Sequence, residues 1–164
     1  MKDVKELKIK LFADGADLAG IAEMAANPLI KGFTTNPTLM RKAGVRDYQA
    51  FALEALRIIG DKPISFEVFA DNFLEMEEQA HEIASWGKDV YVKIPVTNTK
   101  GEPAYDLIYR LSRTGVKVNV TAIFTKDQAR TTIAALSGDD AIVSIFAGRI
   151  ADTGRDPSRI LRSA

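Results

Sequence analysis

Cysteine is absent from this 164-residue chain, and histidine occurs once, at His81. The first absence removes disulfides, thiolate nucleophiles and cysteine–zinc sites. The second leaves too few imidazoles for a multi-histidine metal site of the kind zinc uses. His81 itself lies in a stretch with helical spacing, where nothing suggests a nucleophilic triad. Charge of one sign is also missing: 22 basic residues balance 22 acidic ones. The basic residues are spread along the chain, so the electrostatic footprint of a nucleic-acid binder is not there. No apolar run approaches the ~20 residues a membrane helix needs. The charged start from Met1 to Glu6 lacks the apolar stretch of a secretory signal. These absences imply a reducing, cytoplasmic setting without nucleic acid or membrane as partner. Acid–base work would fall to carboxylates, lysine, tyrosine or hydroxyls.

What is present is an ordinary globular composition, 46% hydrophobic and 27% charged, suited to one domain over residues 1–164 with a single core. Short β-rich runs alternate with helical patterns. The expected strands are Lys8–Asp14, Ile30–Thr35, Ile64–Phe69, Val90–Pro95, Val116–Thr121 and Ala141–Phe146. Asp47 caps a helix carrying Phe51, Ala55 and Ile59, which Gly60 stops. Asp71 opens another, with Phe73, Met76, Ala80, Ile83 and Ala84 on one face, ended by Gly87. Glu102-Pro103 starts a third, with Gly115 past its end. Thr125 and Gln128 form a capping box ahead of Ile133 and Leu136, with Gly138 as the stop. Such alternation implies parallel strands joined by right-handed crossovers.

Side chains alternate faces along a strand. One parity holds aliphatics: Ile9 and Leu11; Ile64, Phe66 and Val68; Val90, Val92 and Ile94; Val116, Val118 and Val120; Val143 and Ile145. The opposite parity carries Asp14, Glu67, Lys93, Asn119, Thr121 and Ser144. Helices following each strand must pack on the aliphatic face. If the sheet curls into a barrel, the polar parity points inward near the strands' carboxyl ends, where βα-barrel active sites form. An open doubly wound sheet is the competing architecture.

Six blocks then acquire a common meaning. Gly32-Phe33-Thr34-Thr35-Asn36-Pro37-Thr38-Leu39 resembles the strand-2 signature of the transaldolase family of Schiff-base aldolases. Phe12-Ala13-Asp14, Phe66-Glu67-Val68, Val92-Lys93-Ile94-Pro95, Val118-Asn119-Val120-Thr121 and Ser144-Ile145-Phe146-Ala147-Gly148-Arg149 continue the match in order. The resemblance implies a TIM (β/α)8-type barrel, of which about the first six βα units are present. Ser158–Ala164 is then a stub of the next helix. It also implies transfer of a dihydroxyacetone unit between sugar phosphates in the pentose phosphate pathway, without metal or organic cofactor. Lys93 matches the amine that attacks the ketose carbonyl. Lysines used in this way sit in desolvated settings that free the lone pair. Asp14 matches the general acid–base for the C4 hydroxyl, and Glu67 and Thr121 match the pair that positions a water for proton shuttling. Asn36, Asn119 and Ser144 match substrate-hydroxyl and imine-orienting groups, with Thr34 and Phe146 in the same substrate pocket. Arg149 matches a phosphate ligand, a role suited to a planar guanidinium. Asn36-Pro37 also reads as a turn. Asn119-Val120-Thr121 fits a glycosylation sequon, but inside an expected buried strand.

The related fructose-6-phosphate aldolases release free dihydroxyacetone. In that group a tyrosine tends to stand where this chain has Phe146, and a glutamine where it has Glu67. Phenylalanine cannot donate a proton or order water as a phenol can, so this pair implies transferase activity. The rival from another class is a non-catalytic barrel fragment, oligomerising or inert, with a homo-oligomer or self-association through open barrel edges as the expected partner.

Overall fold

Six parallel strands and eight helices follow one another in the computed structural model, which describes residue 6 and residues 8–137 and 140–162. Gly138, expected to stop a helix, the final two residues of the Ser158–Ala164 stub, and all but Glu6 of the charged start lie outside the described residues. The alternation is that of a (β/α)8-type barrel chain with six βα units, the class the sequence implied. Contacts divide the chain into two compact units. One runs to Glu67 and takes in Ser85–Val90; the other holds Val68–Ala84 and everything from Tyr91 onward.

The first unit contains β1 (Leu11–Asp14), α1 (Leu18–Ala26), β2 (Ile30–Thr34), α2 (Pro37–Lys42), α3 (Tyr48–Ile59) and β3 (Ile64–Glu67). Its strands lie in sequential order, β1 on β2 and β2 on β3, all parallel. The three helices begin alike. Asp17, Asn36 and Asp47 each accept the N–H three residues on, at 2.8, 2.9 and 2.9 Å, satisfying donors that a helix start leaves open. Asp47, the buried face of Phe51, Ala55 and Ile59, and Gly60 at φ 64° stand as expected. The aliphatics Ile64 and Phe66 on β3 are fully buried. Gly32 pairs with Phe12, and a Cβ at Gly32 would stand 2.2 Å from the Phe12 ring. Only glycine lets the two strands carry that ring between them.

β1 is shorter than expected. Its pairing starts at Leu11 opposite Ile30, the first residue of β2. Ile9 therefore precedes any strand partner and is 65% exposed rather than packed. β3 also ends early, at Glu67.

The second unit is built around α4 (Phe73–Ser85), β4 (Val90–Pro95), α5 (Tyr105–Arg113), β5 (Val118–Ile123), α6 (Lys126–Ala135), β6 (Ala141–Ile145), α7 (Ala147–Asp152) and α8 (Ser158–Leu161). β4 pairs with β5 and β5 with β6, again parallel and sequential. Val92, Ile94, Val118 and Val120 are fully buried, as are Ile108 and Leu111 of α5. The bidentate Arg110–Glu77 pair, at 3.0 and 2.6 Å, ties α5 to α4.

Four expectations fail here for local reasons. Asn72, not Asp71, caps α4, accepting the Glu75 N–H at 2.9 Å, because the Asp71 carboxylate is taken by Thr99. Glu102-Pro103 does not start α5. Pro103 bridges back to Thr97 and Glu102 accepts from Asn98, so the helix begins at Tyr105. β5 spans Val118–Ile123 instead of Val116–Thr121, because Val116 spends its N–H on the Leu111 carbonyl, closing α5 behind Gly115. The Thr125–Gln128 capping box is present, but Ala129 and Thr132 form the buried face of α6 while Ile133 is 49% exposed.

Candidate active site

Lys93 sits in the middle of β4 between Val92 and Ile94, both fully buried, and is itself 7% exposed. Strand alternation turns Lys93 away from the helix-packed face those neighbours occupy. The β4–β5 register sets it directly opposite Asn119. Asn119 is 1% exposed, and its Oδ1 accepts the hydroxyl of Ser144 on β6 at 2.7 Å. Three adjacent strands thus present an amine, an amide and a hydroxyl. The Ser144 bond occupies the amide oxygen and fixes the orientation of the Asn119 amide.

Thr121 lies opposite Pro95, two residues along β5 from Asn119. It is 2% exposed, and its hydroxyl has no hydrogen-bond partner among the described residues. A buried hydroxyl left open costs free energy of about 1–3 kcal/mol, and native structures keep such groups mainly where a ligand or water completes them. Ala122, the next residue, has φ 59°, left-handed for a residue with a Cβ, and the β5–β6 register slips there between Val120 and Ile123. Backbone strain of this kind gathers at functional sites.

Phe146 precedes α7 and packs edge-to-face on Phe124 at 5.6 Å. Arg149, in α7, is exposed and makes no ion pair among the described residues. A cavity of about 570 Å³ opens beside these elements, lined by Phe124, Thr125, Ile150, Thr153, Arg155 and Arg159 among others.

In the first unit, Asp14 ends β1 and its Oδ1 accepts the Thr34 hydroxyl at 2.9 Å. Thr34 thus holds the Asp14 carboxylate in place. Asn36 uses its side-chain oxygen to cap α2, which leaves its amide N–H groups uncommitted by that bond. Glu67 ends β3. Its backbone N–H donates to the Tyr48 phenol oxygen at 2.8 Å, and that phenol donates to the Glu67 carbonyl at 3.0 Å. Sequence reasoning missed Tyr48. A tyrosine at the first position of a helix carries no signal that its ring will reach a strand 19 residues away.

Among the described residues no three His, Cys, Asp or Glu side chains cluster to hold a metal ion, and no helix is long and apolar enough to cross a membrane.

Comparison with known proteins adds an independent line. A family model described as Transaldolase/Fructose-6-phosphate aldolase matches residues 11–163. A "Probable transaldolase" of Dehalococcoides mccartyi is 36% identical over 148 residues, 90% of this chain and 65% of that protein. One from Streptococcus agalactiae is 36% identical over 154 residues, 94% of this chain and 67% of its own. The chain thus spans about two thirds of the length of these curated relatives. Among solved structures, a dihydrodipicolinate synthase from Rhodopseudomonas palustris superposes with a TM-score of 0.54 at 14% identity, over 95% of this chain and 64% of that one. A pyruvate carboxylase from Rhizobium etli does so at 0.52 and 17% identity, over 96% of this chain and 19% of that one. At such identities the likeness is one of fold.

Proposed function

We propose that this chain, which belongs to the transaldolase/fructose-6-phosphate aldolase family, carries the residues of a transaldolase and forms a Schiff base through Lys93. The observation that supports this reading most is the buried Lys93, in register with an Asn119 amide that Ser144 orients.

In the proposed cycle the Lys93 amine adds to the C2 carbonyl of a ketose phosphate, sedoheptulose 7-phosphate or fructose 6-phosphate. The carbinolamine loses water to give the imine. The C3–C4 bond then breaks, its electrons pass into the iminium, and the C4 hydroxyl proton goes to Asp14. An aldose phosphate leaves. A second aldose phosphate accepts the enamine carbon and takes the proton back from Asp14. Hydrolysis of the new imine returns the amine. Glu67 and the open Thr121 hydroxyl serve the proton transfers that make and remove the carbinolamine water. Asn36, Asn119 and Ser144 hold substrate hydroxyls and the imine, and Arg149 takes the phosphate. No metal or organic cofactor is called for, because the iminium is the electron sink. The reaction belongs to sugar-phosphate interconversion of the pentose phosphate type, in the cytoplasm.

The test is reductive trapping. Borohydride added with fructose 6-phosphate should leave a mass adduct on the peptide carrying Lys93, and Lys93→Met should abolish it. An adduct mapped to any other lysine sinks the assignment.

A further inference from the structure

Parallel pairing between β2 and β3 runs Phe33 to Ile64 and Thr34 to Ser65, and its last ladder bond is Thr35 N–H to the Ser65 carbonyl, at 3.0 Å. One step further, the same ladder would have Glu67 N–H donate to the Thr35 carbonyl, and the N–H of residue 37 donate to the Glu67 carbonyl. Residue 37 is proline, which has no N–H, and α2 begins there, with Asn36 still extended as its N-cap. The ladder bond that residue 37 would give to the Glu67 carbonyl therefore cannot form. The Tyr48 phenol engages both backbone groups of Glu67, accepting from its N–H at 2.8 Å and donating to its carbonyl at 3.0 Å. Its ring stands edge-on to Phe66 at 5.9 Å and to Trp86 at 5.1 Å, contacts that favour this orientation. Burial pushes the phenol's pKa up, and it stays a donor at any working pH.

We propose that Tyr48 is a positioning residue for Glu67: its hydroxyl supplies the bond that Pro37 cannot give and fixes the main chain from which the Glu67 carboxylate projects. This rests on the reading of Glu67 as the proton relay of imine formation. The role is built into the fold, because the proline that opens α2 lacks the N–H whose place the phenol takes.

Three measurements on the 164-residue chain test it. In the wild type, NMR should show a slowly exchanging Tyr48 hydroxyl proton with a cross-peak to the Glu67 amide; without that proton the proposal fails, whatever any variant does. In Tyr48→Phe, the Glu67 amide should exchange about tenfold faster, the scale of one lost hydrogen bond, while the Thr35 amide is unchanged. Equal acceleration at both would mean general loosening and would overturn the specific role. Borohydride trapping at Lys93 completes a double-mutant cycle. Tyr48→Phe and Glu67→Gln should each slow adduct formation, and the double variant should be no slower than Glu67→Gln alone. Multiplicative effects would show that Tyr48 acts independently of Glu67. A wild type that forms no adduct would defeat the Schiff-base reading, and the two NMR measurements would still decide the role of Tyr48.

Discussion

At the scale of single residues, the side chains assigned here differ in how much their own geometry says. Lys93, Asn119 and Ser144 are tied by register and by a hydrogen bond, whereas Phe146 is defined by what it lacks. Its ring lies against Phe124 and carries no hydroxyl. An enamine in a dry pocket awaits an aldehyde acceptor, while a nearby phenol can donate a proton or order the water that does. Phe146→Tyr is therefore expected to raise dihydroxyacetone release relative to transfer onto an aldose phosphate, measured by running both assays on one preparation. A wild type that already releases as fast as it transfers would place the chain with the lyases. Ala122 offers a test of strain. Glycine has no Cβ to clash at φ 59°, so Ala122→Gly should stabilise the protein by about 1 kcal/mol, read as a higher Tm. Adduct formation at Lys93 should fall in the same variant, because Thr121 loses the rigid bulge that aims it.

At the scale of elements, the loop from β4 to α5 is pinned throughout. The Asp71 carboxylate accepts the Thr99 N–H at 2.8 Å and its hydroxyl at 2.6 Å. Asn98 braces the loop from within through the N–H groups of Lys100 and Glu102. The Thr99 hydroxyl and N–H hold the Asp71 carboxyl below its usual range. A lowered folded-state pKa means the carboxylate form is favoured on folding. The bond's contribution is therefore present above the ordinary carboxylate pKa and lost as pH falls through the lowered value. The Thr99 amide resonance should shift as pH drops from about 5 to 2, the carboxylate range. Asp71→Asn should remove that titration and leave Thr99 less protected at neutral pH. A shift that persists in the variant would assign it to another group. This loop also shows where sequence stops being legible. Asp71 and Asn72 are both good caps, and nothing local reveals that Thr99 claims the first. Val90–Pro95 was readable residue by residue because its apolar alternation is unbroken around Lys93. β5 was misplaced by two residues, because Val116 continues the same alternation while its N–H belongs to α5. Thr34 and Tyr48 act on Asp14 and Glu67 over sequence distances of about 20 residues, and only folding reports such pairs.

At the scale of the whole molecule, the question is what a polypeptide of these 164 residues does with its outermost strands. Among the described residues β1 pairs only with β2, and β6 only with β5. A βα-barrel has eight strands and typically ~250 residues, and its phosphate site commonly uses loops after the last two. β6 reads Ala-Ile-Val-Ser-Ile, half-buried throughout and without a charge, so its free edge lacks the lysines and prolines that block pairing with another chain. Long-range repulsion would not prevent such pairing either, since the formal net charge is zero. We propose that this polypeptide self-associates through its edge strands and turns over little or no substrate, even though Lys93 can still form an adduct. Size-exclusion chromatography with light scattering should give species larger than 18.0 kDa. A coupled transaldolase assay on the same fractions should fall far below ~10 s⁻¹, the median enzyme turnover. Placing a lysine in the edge, Val143→Lys, should shift the distribution toward monomer if β6 is the surface that pairs. A wild type that runs as a monomer with ordinary turnover would show that six βα units suffice for both closure and catalysis. An unchanged size distribution in Val143→Lys would move the contact away from β6.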